Sequence, residues 1–308
     1  MTTHREAPVM SGREAPPTTG HEAPATALFD LPTELAIDTS VARLVMGQFI
    51  RGQLGQAGFE RAVVGLSGGI DSAVVAFLVA EAIGAKKLLA VLMPYRTSSP
   101  DSRADAETVV ARLGCASEVV DISPMVDAFF AAAPDASSLR RGNFMARQRM
   151  AVLYDRSVTW GGLVVGTGNK TETLIGYTTL FGDSACAFNP IGDLYKSQVR
   201  QVAEALGVPE KIIRKAPSAD LWPGQTDEAE ADISYPVLDR LLFWRVDKRR
   251  SVDEMVALGF EAIAVERVDR MVAGAEFKRQ VPPIAKLGPR TTGVDYLYPR
   301  RRPGSTRG

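Results

Sequence analysis

Histidine is nearly missing from this chain. Only His4 and His21 occur among 308 residues, and both sit in an N-terminal stretch rich in Pro, Ala, Thr and Glu. The folded part therefore has no imidazole for a Ser–His or Cys–His pair and none for a zinc site. The two cysteines, Cys115 and Cys186, form no metal-ligand pattern, and a reduced, cytoplasmic protein is the default they imply. No apolar stretch approaches the ~20 residues that span a bilayer, and no basic segment with an apolar core opens the chain. Membrane partners are thus not expected. Formal net charge is zero, from 36 basic and 36 acidic residues, so no electrostatic case exists for nucleic-acid binding. Any catalysis rests on carboxylates, lysines, hydroxyls, backbone dipoles and metal ions.

What is present is concentrated in one string, Ser67-Gly68-Gly69-Ile70-Asp71-Ser72. An apolar β-type run at 62–66 leads into it, and an apolar run of helical character, 73–82, follows. A strand, a glycine turn and a helix N-terminus make an anion site, because free N–H groups point outward and the helix dipole adds positive potential. Gly68 and Gly69 let backbone approach an oxyanion, and Ser67 and Ser72 add hydroxyls. Asp71 repels a bare phosphate but suits one bridged by Mg²⁺. The loop lacks the Gly-Lys-Ser/Thr ending of a Walker loop.

The rest of the chain reads as alternation. Strands are expected at 62–66, 88–93, 118–121 and 163–165, with helices at 72–83, 102–113 and 143–158 between them. This is an α/β pattern: a Rossmann-like, doubly wound parallel sheet with helices on both faces. Ligands in such sheets bind past the carboxyl ends of the strands, where 67–72, 94–103 and 166–172 all fall. A first amphipathic helix is expected over 37–54, capped by Thr39 or Ser40. After Val199 the pattern turns mostly helical, with helices at 197–206, 234–243, 251–257 and 261–273. We divide the chain into a Pro/Ala/Glu-rich tail (1–30) with too little apolar surface to order itself, a single domain (31–288) and a basic tail (289–308). Arg300, Arg301 and Arg302 lie in that last tail.

The hexapeptide resembles the pyrophosphate loop of the N-type ATP pyrophosphatases, which break ATP between its α- and β-phosphates. Further strings narrow the resemblance to the NAD synthetases. These are Asn143-Phe-Met-Ala-Arg147-Gln-Arg149-Met150, Gly166-Thr167-Gly-Asn-Lys170-Thr-Glu172 and Asn189-Pro-Ile-Gly-Asp193-Leu-Tyr-Lys196. Lys215-Ala-Pro-Ser218-Ala-Asp220-Leu-Trp222, Gly224-Gln-Thr-Asp227-Glu228 and Phe277-Lys278-Arg279 follow in the same order and spacing. The likeness runs from about Leu31 to about Lys286 and implies a definite chemistry. The carboxylate of deamido-NAD attacks the α-phosphate of ATP, pyrophosphate leaves, and ammonia converts the acyl-adenylate to an amide with release of AMP. By resemblance, 67–72 cradles pyrophosphate and Asp71 and Glu172 hold Mg²⁺. Lys196, Thr167 and Ser218 contact ATP, while Arg147 and Lys278 contact deamido-NAD. On local sequence alone Lys196 also reads as a surface lysine opening a helix, and Arg147 as an ion-pairing residue on a helix surface. The loop 222–230 reads equally as a cover over bound nucleotide or as a plain exposed loop.

Three positions depart from the common bacterial pattern. Leu180 stands where a lysine is frequent, Ala187 where an aspartate is, and Phe277 where a histidine is. The ATP side is intact, whereas the carboxylate-substrate side has lost three polar groups. A subfamily variant with the same substrate is the simplest account. An ATP-dependent amide ligase for another carboxylate, and a non-catalytic adenine-nucleotide-binding protein, are the competing ones. Residues 1–60 are too few for the cysteine amidohydrolase module of longer synthetases, so ammonia is expected either free or from a separate glutaminase. The resemblance also implies a homodimer, with 37–54 and 143–158 as candidate interface elements.

Overall fold

The computed structural model describes residues 32–217 and 233–293, all within the unit Leu31–Gly308. Ser218, the loop 222–230, the N-terminal tail and residues 294–308 of the C-terminal tail lie outside the described residues. Four parallel strands form the sheet: β1 (Arg61–Gly65), β2 (Leu88–Leu92), β3 (Ala116–Val119) and β4 (Gly162–Val165). Their order is β3-β2-β1-β4. Val63 pairs with Leu89 on one side and Val164 on the other.

Period-2 alternation along the strands supplies both faces of this sheet. Ala62, Val64, Leu88 and Ala90 enter one core with helices α1 (Thr39–Ala57), α2 (Ile70–Ile83) and α3 (Pro100–Leu113). Val63, Leu89 and Val91 enter a second core with α4 (Ser123–Phe130) and α5 (Ser138–Trp160). Strand β2 is buried along its whole length, as suits a strand with helices on both sides. Helix α2 is apolar almost all round, and Ile70 together with every residue from Ser72 to Val79 is buried. Such a helix belongs inside a fold rather than on it.

After β4 come α6 (Lys170–Ile175), α7 (Lys196–Leu206) and α8 (Glu210–Arg214), then α9 (Tyr235–Leu242), α10 (Val252–Ala257) and α11 (Ala262–Gly274). A π-helical turn, Phe243–Asp247, extends α9. The last three helices share a third core with Leu35 and Tyr195. That core presses α9 onto α6 and α7.

The expected alternation and parallel sheet are therefore both present. Two details differ. Helix α1 is capped neither by Thr39 nor by Ser40: Asp38 stands at the N-cap and accepts from the Ser40 and Val41 amides. A carboxylate one residue earlier meets two orphan N–H groups at once. Strand β3 also ends two residues before the expected position, because the chain turns where Asp121 accepts from the Ser123 amide to open α4. No helix among the described residues is long and apolar enough to cross a membrane.

Candidate active site

The chain winds from β1 outward to β2 and β3, then returns to place β4 on the other flank of β1. The switch in direction leaves a crevice past the carboxyl ends of β1 and β4, the usual ligand position in such sheets. Two loops meet there, 66–69 after β1 and 166–169 after β4.

The first loop is tightly knit. Ser72 Oγ donates to Gly69 O (3.1 Å) and accepts from the Ser67 amide (3.2 Å), while Ser67 Oγ lies 3.1 Å from Ser72 Oγ. Ser67 Oγ also accepts from the Gly69 amide. The two serines, expected as donors to phosphate, here donate within the loop and hold its curvature. Gly69 is the extended N-cap of α2 and offers no side chain to the first turn, so the orphan amides there have no side-chain cap. Gly68 has φ +81°, and a Cβ placed on it would lie 1.9 Å from the backbone oxygen of Ser102 in α3.

The second loop carries Thr167 and ends on Asn169, the N-cap of α6. Asn169 Oδ1 accepts from the Glu172 amide (2.9 Å), and the Glu172 carboxylate faces the Asn169 amide in return. This reciprocal arrangement fixes Glu172 against the loop. Lys196 is the first residue of α7 and its side chain is only 3% exposed. Its Nζ donates to Asp71 Oδ2 and, at 3.0 Å, to Glu172 Oε1. The same ammonium stands 5.2 Å from the centre of the Tyr235 ring. Asp71, Glu172 and Lys196, 125 residues apart at most, thus form one charged cluster at the switch point.

Asp239 on α9 supports this cluster from behind, a role not read from the sequence. It is fully buried. It accepts from Ser197 N (2.7 Å), Ser197 Oγ (2.6 Å) and Thr171 Oγ1 (2.6 Å). Thr171 Oγ1 in turn accepts from the Lys196 amide. Burial pushes the Asp239 carboxyl above its ordinary pKa, and the donors from Ser197 and Thr171 oppose that. One signal was available: at helical spacing Asp239 falls on the buried stripe Tyr235, Leu238, Leu241 and Leu242. Asp239→Ala leaves the Ser197 amide and the Ser197 and Thr171 hydroxyls without their acceptor, so a loss of about 2–4 kcal/mol in urea unfolding is expected. A change below about 0.5 kcal/mol, the level of ordinary surface substitutions, would remove Asp239 from this account.

Arg147 and Lys278 meet on a separate segment. Arg147 Nε donates to Leu180 O (3.3 Å), whereas Lys278 Nζ donates to Gly176 O (2.7 Å) and Thr178 O (2.8 Å). Both therefore shape 176–184, the segment that carries Leu180. Burial lowers the Lys278 pKa, and Asp183 counters it. Gly176 has φ +74° and lies so close to Ala275 that a Cβ would meet that side chain at 2.4 Å. Ala187 extends the pairing of β4 through its amide to Val164 O, and Phe277 is exposed. Lys170 points away from the cluster, donating to Asp247 and pairing with Asp193.

Comparison with known proteins places the chain in a family. A family model described as NAD synthase matches residues 42–282. The chain belongs to the NAD synthase family. The ammonia-dependent NAD(+) synthetase of Trichlorobacter lovleyi is 50% identical over 268 residues, covering 87% of this chain and 98% of the relative. The NH3-dependent NAD synthetase of Campylobacter jejuni, solved in complex with the nitrate ion, superposes with a TM-score of 0.70 at 33% identity, over 82% of this chain and 100% of that one. The NMN synthetase of Francisella tularensis gives a TM-score of 0.73 at 31% identity, over 81% and 99%. The two solved structures superpose on this chain over most of its length, so the α/β fold expected from the alternation holds.

Proposed function

We propose that this chain is an ammonia-dependent NAD(+) synthetase, amidating deamido-NAD at the expense of ATP. The observation that carries the reading is the Asp71–Lys196–Glu172 cluster beside the 67–72 loop, at the switch point of a NAD synthase fold. A carboxylate is a poor electrophile and must first receive a better leaving group. A carboxylate oxygen of deamido-NAD attacks the α-phosphorus of ATP, and the bond to the β-phosphate oxygen breaks as pyrophosphate departs. Ammonia then adds to the acyl carbon, loses a proton, and expels AMP, which keeps the attacking oxygen.

The chain's own part is to hold two anions together and to meet charge on the leaving group. The first-turn amides of α2 and the dipole of that helix face the pyrophosphate, and Lys196 brings a point charge on a buried stem. Thr167 and Ser218 are assigned to ATP together with Ser67, Gly68, Gly69 and Ser72. Arg147 and Lys278 are assigned to deamido-NAD through the 176–184 segment they shape. Mg²⁺ fits the donor set: Asp71 and Glu172 are hard oxygen donors, brought together on one ammonium, and their carboxylate oxygens keep lone pairs beyond the hydrogen bonds they accept. Two carboxylates with the remaining positions left to phosphates and water match this ion's habit. When bound, it supplies further charge neutralisation on the phosphates.

The domain is assigned to 31–288 with the two tails outside it, and the chain to the cytoplasm. A homodimer is assigned too, supported by the apolar stripe Val41, Leu44 and Val45 on α1 and by Val158 on α5, which is 81% exposed.

A second reading, amidation of another nicotinate-bearing nucleotide, is favoured by the likeness to the NMN synthetase and by Leu180, Ala187 and Phe277. A coupled NADH-forming assay with ATP, Mg²⁺, ammonium and deamido-NAD decides between them. NAD formation from ammonium, at a kcat/KM above that for the deamido form of NMN, is the expected outcome. Turnover of the mononucleotide alone would reverse the substrate assignment. Glutamine in place of ammonium is expected to give no NAD unless a separate glutaminase is added.

A further inference from the structure

Asn169 does more than cap α6. Its side chain is fully buried, and its two polar atoms serve different loops. Oδ1 accepts from the Glu172 amide at 2.9 Å. That amide can only donate, so the oxygen must face it and Nδ2 must face the other way. There Nδ2 donates to Asp71 Oδ1 at 2.9 Å, across 98 residues of chain. The Asn169 amide faces Glu172 Oε2 at 3.4 Å.

The four residues close a ring. Lys196 takes Asp71 Oδ2 and Glu172 Oε1 on one side, while Asn169 takes Asp71 Oδ1 and Glu172 Oε2 on the other. Each carboxylate is thus gripped at both oxygens, which fixes its plane as well as its place. Asn189 steadies the loop beneath by donating from Nδ2 to Gly168 O at 2.7 Å.

We infer that Asn169 is a positioning residue that sets the Asp71 and Glu172 carboxylates relative to each other for ATP cleavage. This rests on the function proposed above. Capping and positioning use different atoms, so they separate by mutation. Asn169→Asp keeps a capping oxygen of equal quality but turns an oxygen toward Asp71. Asn169→Ser keeps a capping hydroxyl, adds no charge and cannot span to Asp71.

Both variants are purified and compared with the unmodified protein by thermal melting, by kcat and KM for each substrate, and by calorimetric titration of pyrophosphate with Mg²⁺. The expected result is melting close to that of the unmodified protein for Asn169→Ser and lower for Asn169→Asp, which buries a like charge against Asp71. KM for deamido-NAD is unchanged and kcat is lowered about 10- to 100-fold in both. Pyrophosphate affinity falls in both as well. Full kcat and full pyrophosphate affinity in Asn169→Ser would overturn the assignment. So would losses in Asn169→Ser that merely track a lower melting temperature, which would leave a cap and nothing more. If the unmodified protein makes no NAD, the functional reading fails, whereas the pyrophosphate titrations still decide the role of Asn169.

Discussion

Replacing Lys196 with methionine lowers kcat by about 10²- to 10³-fold, the range found when one electrostatic stabiliser is removed from a preorganised site. Methionine keeps most of the stem volume and removes only the charge, so the loss reads on the ammonium. In the native protein that ammonium lies within reach of both Asp71 and Glu172 and is nearly out of contact with water. Without it, two carboxylates converge with their shared cation gone, and negative charge faces the departing pyrophosphate. KM for deamido-NAD changes little, because Arg147 and Lys278 act on a different segment. Arginine is not expected to rescue, since its planar fork needs more room than a side chain this buried has around it. Steady-state kinetics of Lys196→Met and Lys196→Arg check this directly. A kcat within about threefold of the native value, well short of the effect expected for such a stabiliser, would show that Lys196 is a structural ion-pair partner only.

Gly68→Ala is the second large effect. The residue sits at φ +81°, where a side chain costs on the order of 1–3 kcal/mol. The new methyl would also stand 1.9 Å from Ser102 O and 2.8 Å from Ser102 C. Neither atom belongs to a flexible side-chain tip, so either the loop or the first turn of α3 must move. Asp105 ties that turn down: it is buried, pairs with Lys215 at 2.9 Å and with Lys211 at 2.8 Å. Burial would raise the Asp105 pKa, but the hydrogen bonds from the two lysines outweigh it and hold the carboxylate low. Relief therefore falls on the 67–72 loop, and a misplacement near 1 Å costs about 10² in rate. We expect kcat/KM lowered at least about 100-fold, with a melting temperature that falls but leaves a folded protein. Native activity in this variant would contradict the close approach of the loop to α3.

Much of this arrangement is legible in the chain because its signals are local. The glycine pair after an apolar strand marks the anion loop, and the alternation of 62–66, 88–93 and 163–165 with helical runs marks a parallel sheet. Asn169 and Glu172 form a capping box three residues apart, a local pattern as well. What Asn169 does beyond the cap is not local, since Asp71 lies 98 positions earlier. Asp239 is legible only as a charge on an apolar helix face. Its purpose depends on the third core pressing α9 onto α7. Likewise, Arg147 and Lys278 carry no signal that both would grip the segment around Leu180. The cap of α1 falls on Asp38 rather than on the expected Thr39 or Ser40, and all three are good caps. Only the fold shows which of them has extended backbone.

The central claim is that this site cleaves ATP between its α- and β-phosphates to activate a carboxylate. Deamido-NAD labelled with ¹⁸O in its carboxylate, incubated with ATP, Mg²⁺ and ammonium, tests it most directly by mass spectrometry of the products. The account predicts NAD and pyrophosphate in equal amounts, with AMP carrying one ¹⁸O and the new amide keeping the other. Unlabelled AMP, or ADP and phosphate in place of AMP and pyrophosphate, would contradict it.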